Sequence, residues 1–158
     1  MAITNKVRLN HAPAFVGMVA DLQLVNRVSR LNNTATVIPY GTAVEADATE
    51  GTVKPFVSGK FVGILIREMV DVTYDGKNFG LNPNQTGTFM TDGVIWVTAG
   101  ETVAIGDDVF IGTGNDVKGM FTKQAGSSGT LAVALPNAKF LTAGNKGDLV
   151  RIKVTIGG

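Results

Sequence analysis

Short apolar runs separated by glycine-containing turns are the feature that most constrains the fold of this chain. The pattern is densest at residues 92–112, which read DGVIWVTAGETVAIGDDVFIG. The apolar residues here are largely β-branched or aromatic, the types that fit the surface of a pleated sheet. Asp92-Gly93 is typical of a two-residue hairpin turn, which needs positive φ angles, and Gly106-Asp107 predicts a second corner. The segment therefore predicts strands joined by tight turns, without a pattern typical of catalysis.

The same alternation of strands and corners continues over most of the chain. From residue 34 onward, predicted strands recur about every 8–12 residues, the spacing of a β-sandwich or barrel. The chain has 20 glycines for the corners, and no fixed-period repeat is evident. Residues 78–85 are predicted as a loop, and Asp75-Gly76 as another hairpin turn. The predicted strands are residues 36–38, 42–46, 53–57, 60–67, 70–74, 87–91, 94–99, 109–111, 117–122, 130–135, 139–142 and 149–156.

The beginning of the chain lacks this dense turn pattern, and residues 1–30 are predicted to form an extended N-terminal arm. A short helix is the alternative, because four apolar residues of the arm have helical spacing, although Gly17 among them disfavours a helix. These four residues are Phe15, Met18, Val19 and Leu22. Residues 31–158 are predicted to form a compact, jelly-roll-like sandwich or barrel. The fold class is therefore all-β, with a single β-domain.

Apolar and basic side chains give the predicted arm a partner-binding character. Apolar surface costs roughly 25 cal/mol per Å² when it stays in water, so we expect the arm to pack on its own body or on a partner. The arm has four basic side chains against one acidic, whereas the rest of the chain has ten basic and twelve acidic. Such a basic segment can steer association toward an acidic protein surface, and the alternative is a solvated tail with ordinary charge scatter. The net charge of +1 gives no general attraction for nucleic acid.

Composition excludes several chemistries. No cysteine is present, which excludes disulfides, thiolate zinc sites and cysteine nucleophiles. His11 is the single histidine and lies in the predicted arm, so we interpret it as a surface or interface residue rather than a catalytic base. No apolar run approaches the ~18 residues of a membrane span, and the first residues lack a signal-peptide pattern. We therefore expect no membrane partner, and the absence of cysteine is compatible with a reducing cytoplasm.

The acidic residues are interpreted as parts of turns. Asp107-Asp108 is the pair best suited to acid–base chemistry, but an aspartate in a turn commonly accepts hydrogen bonds from nearby backbone N–H groups. Asn115-Asp116 lacks the spaced oxygen ligands of a calcium loop. The glycine-rich residues 112–119 lack the Gly-Lys-Ser/Thr ending of a phosphate-binding loop. We predict no catalytic residue, no metal site and no cofactor.

Several segments, taken in order along nearly the whole chain, resemble the capsid cement proteins, also termed head decoration proteins, of tailed bacteriophages. The arm segment NHAPAFVG at residues 10–17 resembles the family pattern Asn-x-x-Pro-Ala-x-x-Gly. The later segments are PYGTAV at 39–44, GKFVGILIR at 59–67, GVIWV at 93–97, GDDVF at 106–110, NAKFL at 137–141 and LVRI at 149–152.

The resemblance implies a non-enzymatic structural protein on the outer surface of an icosahedral phage head. It implies that the protein bridges neighbouring subunits of the major capsid protein and self-associates as a dimer or trimer. An alternative is a carbohydrate- or receptor-binding β-module on a virion, in which Trp96 serves as a platform for a sugar ring. Under the cement interpretation, the expected partner-binding residues lie in the arm, at Arg8, Asn10, Pro13, Phe15, Met18 and Leu22.

Overall fold

The computed structural model describes residues 14–21, 24–67 and 80–155, and the structural statements below refer to these residues. They form eleven β-strands and one short 3-10 helix, Ser128–Thr130, so the predicted all-β class is confirmed. No helix in this part of the chain is long and apolar enough to cross a membrane. The strands are β1 (Asn26–Asn32), β2 (Ile38–Pro39), β3 (Ala43–Ala46), β4 (Thr52–Pro55), β5 (Phe61–Leu65), β6 (Gly80–Leu81), β7 (Thr86–Thr98), β8 (Asp108–Gly112), β9 (Phe121–Thr122), β10 (Ala132–Phe140) and β11 (Leu149–Thr155).

The 13-residue strand β7 organises the sheet. Its first half pairs with β1 on one side and β5 on the other, and its second half pairs with β11. The predicted hairpin turn at Asp92-Gly93 is wrong, because β7 runs through both residues without reversing. Asp92 pairs with Asn26 of β1 and with Thr155 of β11, so strands on both sides hold the chain extended. Pairing with two neighbours outweighs the local turn preference of the dipeptide.

Two closed rings of strands share β7. The first ring contains β1, β4, β3, β5 and β7, and β1 closes it by pairing with both β4 and β7. The second contains β7, β11, β10, β8 and β9, and a bridge between Ala99 and Phe121 closes it. The core of the second ring extends onto β3 and β5 through Ala43 and Ile64, which packs the rings together. The core of the first ring contains Ile38, Tyr40, Val44, Val53, Leu65, Leu81 and Phe89.

Two similar Gly-Asp turns lie side by side in the second ring. In residues 104–107, the Asp107 carboxylate accepts a hydrogen bond from the Ala104 N–H at 2.9 Å. In residues 145–148, the Asp148 carboxylate accepts one from the Asn145 N–H at 2.8 Å. The glycines before these aspartates have φ angles of 90° and 89°, a left-handed conformation that favours glycine. A bridge between Val103 and Gly144 joins the two segments. The interpretation of Asp107 as a turn residue is therefore confirmed, whereas that of Asp108 is wrong, because Asp108 begins β8 and binds Lys139.

One strand of the second ring is longer than predicted. The predicted strands 130–135 and 139–142 are a single strand, β10. A register shift between Ala134 and Lys139 in its pairing with β8 accommodates the irregular residues between them, where Asn137 has a φ of 60°. The interruption that the sequence predicts is therefore a bulge within one strand.

Other predicted boundaries also differ from the structure. The predicted strand 117–122 shortens to β9, because the residues before β9 close two successive turns through backbone hydrogen bonds. The predicted loop 78–85 contains β6, which pairs with β2. The predicted strand 70–74 and the predicted turn at Asp75-Gly76 lie outside the described residues.

Part of the predicted arm belongs to the sheet. β1 begins at Asn26, inside the predicted arm, and pairs with β4 and β7. Residues 14–21 contain no helix, and Val19 forms a bridge with Ile95 of β7. The division of the chain into an arm and a domain at residue 30 stays a prediction.

Candidate interaction surface

Backbone hydrogen bonds attach residues 17–20 of the arm to the edge of β7. The Gly17 N–H donates to the carbonyl of Trp96 at 2.8 Å, and the Trp96 N–H donates to the carbonyl of Met18 at 2.9 Å. The Ala20 N–H donates to the carbonyl of Val94 at 2.8 Å. These bonds make the segment an added edge of the second ring, so its side chains occupy fixed positions relative to the sheet.

Two glycines allow the arm backbone to approach the body closely. Gly17 has a φ of 79° and Gly41 a φ of 71°. A Cβ at Gly17 would lie 2.9 Å from the Gly41 nitrogen, and a Cβ at Gly41 would lie 2.5 Å from Val16 Cγ1. The Arg67 N–H also donates to the Gly17 carbonyl at 2.8 Å. The glycines of the NHAPAFVG and PYGTAV segments therefore meet in the fold, and each is needed for the contact.

Phe15 is a half-exposed aromatic residue beside this attachment. Its exposed fraction is 52%, whereas that of the preceding Ala14 is 4%. The Arg67 guanidinium carbon lies 4.9 Å from the ring centroid of Phe15 and 5.9 Å from that of Tyr40. Cation–π attraction at these distances orients the rings around the cation. Phe15 is thus held in place while half of its surface remains open to a partner.

The outer side of the second ring continues from the arm into a cationic surface. Side chains alternate between the two faces of a strand, so residues paired across strands share a face. Met18 lies opposite Trp96, and Trp96 lies opposite Arg151 of β11. Two residues along β11, Lys153 lies opposite Lys139 of β10. These five residues are termed the outer face.

Trp96 is stacked within the outer face. Its side chain is only partly exposed, and the Arg151 guanidinium carbon lies 5.6 Å from its ring centroid. The guanidinium occupies ring surface that the alternative carbohydrate-binding interpretation assigns to a sugar. The observation therefore does not favour that alternative.

Two of the six predicted partner-binding residues, Phe15 and Met18, lie in the described part of the arm. Phe15 and Met18 lie on either side of Gly17, where the arm joins β7. Their binding role stays a prediction. The other four lie outside the described residues and are Arg8, Asn10, Pro13 and Leu22.

Sequence reasoning missed the basic part of the outer face. Arg151 and Lys153 alternate with buried apolar residues in the β11 sequence LVRIKVT. This period of two places both basic side chains on the face opposite the core. The alternation could have identified them as surface residues, but their position beside Trp96 and Lys139 depends on strand pairing.

Glu45 is a buried carboxylate that holds a turn. Its exposed fraction is 4%, and its Oε2 accepts hydrogen bonds from the three N–H groups of residues 57–59 at 2.6–2.9 Å. The Lys54 Nζ lies 3.5 Å from Oε1. Burial alone would raise the pKa of Glu45, but these hydrogen bonds and Lys54 outweigh burial and lower the pKa below its ordinary value. Glu45 therefore stabilises the connection between β4 and β5 as an anion.

An apolar groove with a volume of about 540 Å³ lies between the two rings. Its lining includes Val16 of the arm, Tyr40 beside β2, and Ile111 and Met120 from the second ring. Lys118 is the charged residue among the described lining residues. Within the described ranges, no group of three or more His, Cys, Asp or Glu residues is arranged to hold a metal ion. The groove therefore offers mainly van der Waals contact.

The structure thus combines an all-β body, an attached arm with a half-exposed ring and a cationic strand face. Residues 3–155 match the family described as structural cement protein (E217 gp24/Pam3 gp6). The chain belongs to this family of phage cement proteins. It is therefore a structural component of a phage capsid, associates with capsid proteins and is located in the virion.

The fold is similar to that of a chain in a solved phage capsid. A chain of "The capsid of Myoviridae Phage XM1" has a TM-score of 0.69 and 17% sequence identity, with 99% of both chains covered. A chain of "The crystal structure of head fiber gp8.5 N base in bacteriophage phi29" has a TM-score of 0.46 and 10% identity, with 82% of this chain and 95% of that chain covered. A comparison with curated proteins finds no match. The first similarity supports the fold, and the family assignment rests on the sequence match.

Proposed function

We propose that the protein stabilises a phage head by bridging neighbouring subunits of the major capsid protein from the outer surface of the shell. Membership of the structural cement family supports a role in the capsid. The observation that carries the proposal is the arm segment, which is bonded to β7 and leaves Phe15 52% exposed. A fixed aromatic ring offers apolar contact area with little further loss of conformational freedom on binding.

Bridging requires a rigid body that contacts both sides of a junction between capsid subunits. Packaged DNA presses outward on the shell, and the junctions are where the shell opens. Added interface area across each junction opposes this opening, and the weak contacts of many copies on one shell add up to a strong total effect. We propose further that the protein acts by non-enzymatic contact as a dimer or trimer, since linked copies bind with higher avidity.

Replacing Phe15 tests the arm contact. We expect Phe15→Ala to weaken binding to expanded, DNA-free heads by about tenfold or more, because loss of an interface hot spot costs about 2 kcal/mol or more. Co-sedimentation over a range of protein concentrations measures the affinity. Leu131→Ala is the matched control, since Leu131 is 50% exposed and lies just before β10 rather than in the arm. Equal binding by Phe15→Ala and the wild-type protein would contradict the proposal.

A further inference from the structure

We propose that β10 and β11 present a second contact surface, formed by Lys139, Arg151 and Lys153, which binds a carboxylate-bearing surface of the capsid. The inference rests on the proposed function and assigns the chemistry of a second contact. A bridging protein needs two contact surfaces, and the arm provides one of them. The basic part of the outer face provides the other, because it lies on β10 and β11, whereas the arm segment is bonded to β7.

Two lysines of this surface oppose each other directly. Lys139 of β10 pairs with Lys153 of β11, and both are exposed. Their neighbours Phe140 and Ile152 form the next pair and are fully buried, so the lysines share the outer side. Like charges directly opposite in an antiparallel pair are destabilising. Asp108 binds Lys139 at 2.7 Å, which leaves Lys153 as the unbalanced cation of the pair.

Arg151 extends the cationic surface toward Trp96. Within the described residues, no ion pair involves Arg151 or Lys153. The Arg151 Nε is buried and has no hydrogen-bond acceptor there. A buried donor without an acceptor is unfavourable in the free protein. A carboxylate has the planar acceptor geometry that a guanidinium group binds best, so it is the partner group that suits the partly exposed Arg151 side chain.

The acidic residues of this side do not neutralise the surface. Asp92 pairs with Thr155, next to the Val94–Lys153 pair on the same face, but no ion pair joins it to Lys153 in the described part of the chain. Asp108 is already bound to Lys139. The complementary partner is therefore acidic. On the outer surface of a shell, protein carboxylates are the anions within reach, whereas packaged DNA lies inside.

Lys153→Gln in the full-length protein tests the inference, with expanded heads as the binding partner and co-sedimentation at increasing NaCl as the measurement. We expect the variant to bind about threefold to tenfold more weakly at low salt and to depend less on salt than the wild-type protein. Its thermal midpoint is expected to be unchanged or higher, because the opposition of like charges is gone. Lys60→Gln is the matched control, since Lys60 is an exposed lysine beside β5 in the first ring.

The outcomes separate this inference from the proposed function. If Lys153→Gln binds with the same affinity and salt dependence as the wild-type protein, the inference alone is overturned. If the wild-type protein does not bind, both the inference and the proposed function are overturned. Lys153→Arg keeps the charge and is expected to bind like the wild-type protein; weaker binding by both variants shows a structural role and overturns the inference. Binding to a short DNA duplex that Lys153→Gln abolishes assigns the surface to nucleic acid and overturns it as well.

Discussion

At the scale of single residues, Glu45 closes the turn between β4 and β5 with a buried negative charge. One carboxylate oxygen accepts hydrogen bonds from the three N–H groups of residues 57–59, so the anion replaces water as their acceptor. We expect Glu45→Gln to lower the free energy of unfolding by about 1.5–3 kcal/mol at neutral pH, the range for hydrogen bonds to a charged group. Urea unfolding measures the loss, and Glu50→Gln at an exposed position is the control.

The same carboxylate makes the effect of Glu45→Gln depend on pH. Burial raises the pKa of Glu45, but the hydrogen bonds from residues 57–59 and the charge of Lys54 bring the pKa below its ordinary value of 4.5. Because the unfolded chain binds this proton more readily, the carboxylate's contribution is complete above about pH 4.5 and is lost as the pH falls through the folded pKa. The stability difference between wild type and variant should therefore shrink in acid. A difference that stays constant with pH would show that the charge does not hold the turn.

Gly17 is the residue through which the arm meets the body, and Gly51 provides a matched comparison. Both have a φ of 79°, so alanine at either position adopts a left-handed conformation that costs roughly 1–2 kcal/mol. A Cβ at Gly51 meets nothing within 4 Å, whereas one at Gly17 meets backbone atoms at 2.9–3.1 Å. We therefore expect Gly17→Ala to lower the thermal midpoint more than Gly51→Ala and to weaken head binding. Equal midpoints in calorimetry would show that the attachment tolerates displacement.

At the scale of secondary-structure elements, the sequence predicts most strands but not how the chain passes between them. Predicted runs coincide with β5, β8 and β11, because apolar and β-branched residues cluster or alternate there. The predicted turn at Asp92-Gly93 is wrong, since the local preference of this dipeptide is weaker than its pairing with β1 and β11. The opposite error occurs in β10, where a register shift carries the strand past an apparent interruption. Both errors arise because strand pairing is a tertiary interaction that local sequence does not encode.

The candidate surface was predictable to a similar extent. Phe15 and Met18 follow from the sequence, because apolar residues in a segment outside the predicted domain need a covering partner. The meeting of Gly17 with Gly41 depends on how the arm crosses the body. The opposition of Lys139 and Lys153 depends on the register of β10 and β11, and a shift of one residue in either strand would move the lysine of that strand to the core. Such contacts between distant segments require the folded structure.

At the scale of the whole molecule, β7 ties the two rings into one body. Its first half supplies Phe89 to the first core, and its second half supplies Ile95 and Val97 to the second. The arm, which presents Phe15, is bonded to the second half as well. Detachment of β7 would remove a wall from both cores at once. We therefore expect the protein to unfold in one cooperative transition.

Phe89→Ala tests this coupling, because it removes a fully buried ring from the first core and is expected to cost about 3–5 kcal/mol. Trp96, the single tryptophan, lies in the second half of β7, so its fluorescence reports on the second ring while circular dichroism reports on the whole sheet. Both signals should shift to the same lower midpoint. Ile38→Val in the same core should lower the midpoints of both signals by less, because this substitution lowers the free energy of unfolding by about 0.5–1.5 kcal/mol.

The rings unfold independently if the Trp96 fluorescence of Phe89→Ala keeps the midpoint of the wild-type protein while its circular dichroism curve shows two steps. In that case the arm and the basic strands would be fixed to the second ring alone, and the first ring would add nothing to their rigidity. A shared midpoint has the opposite meaning. A force applied at Phe15 or Lys153 would then be resisted by both cores through β7, which is the mechanical property that bridging two capsid subunits requires.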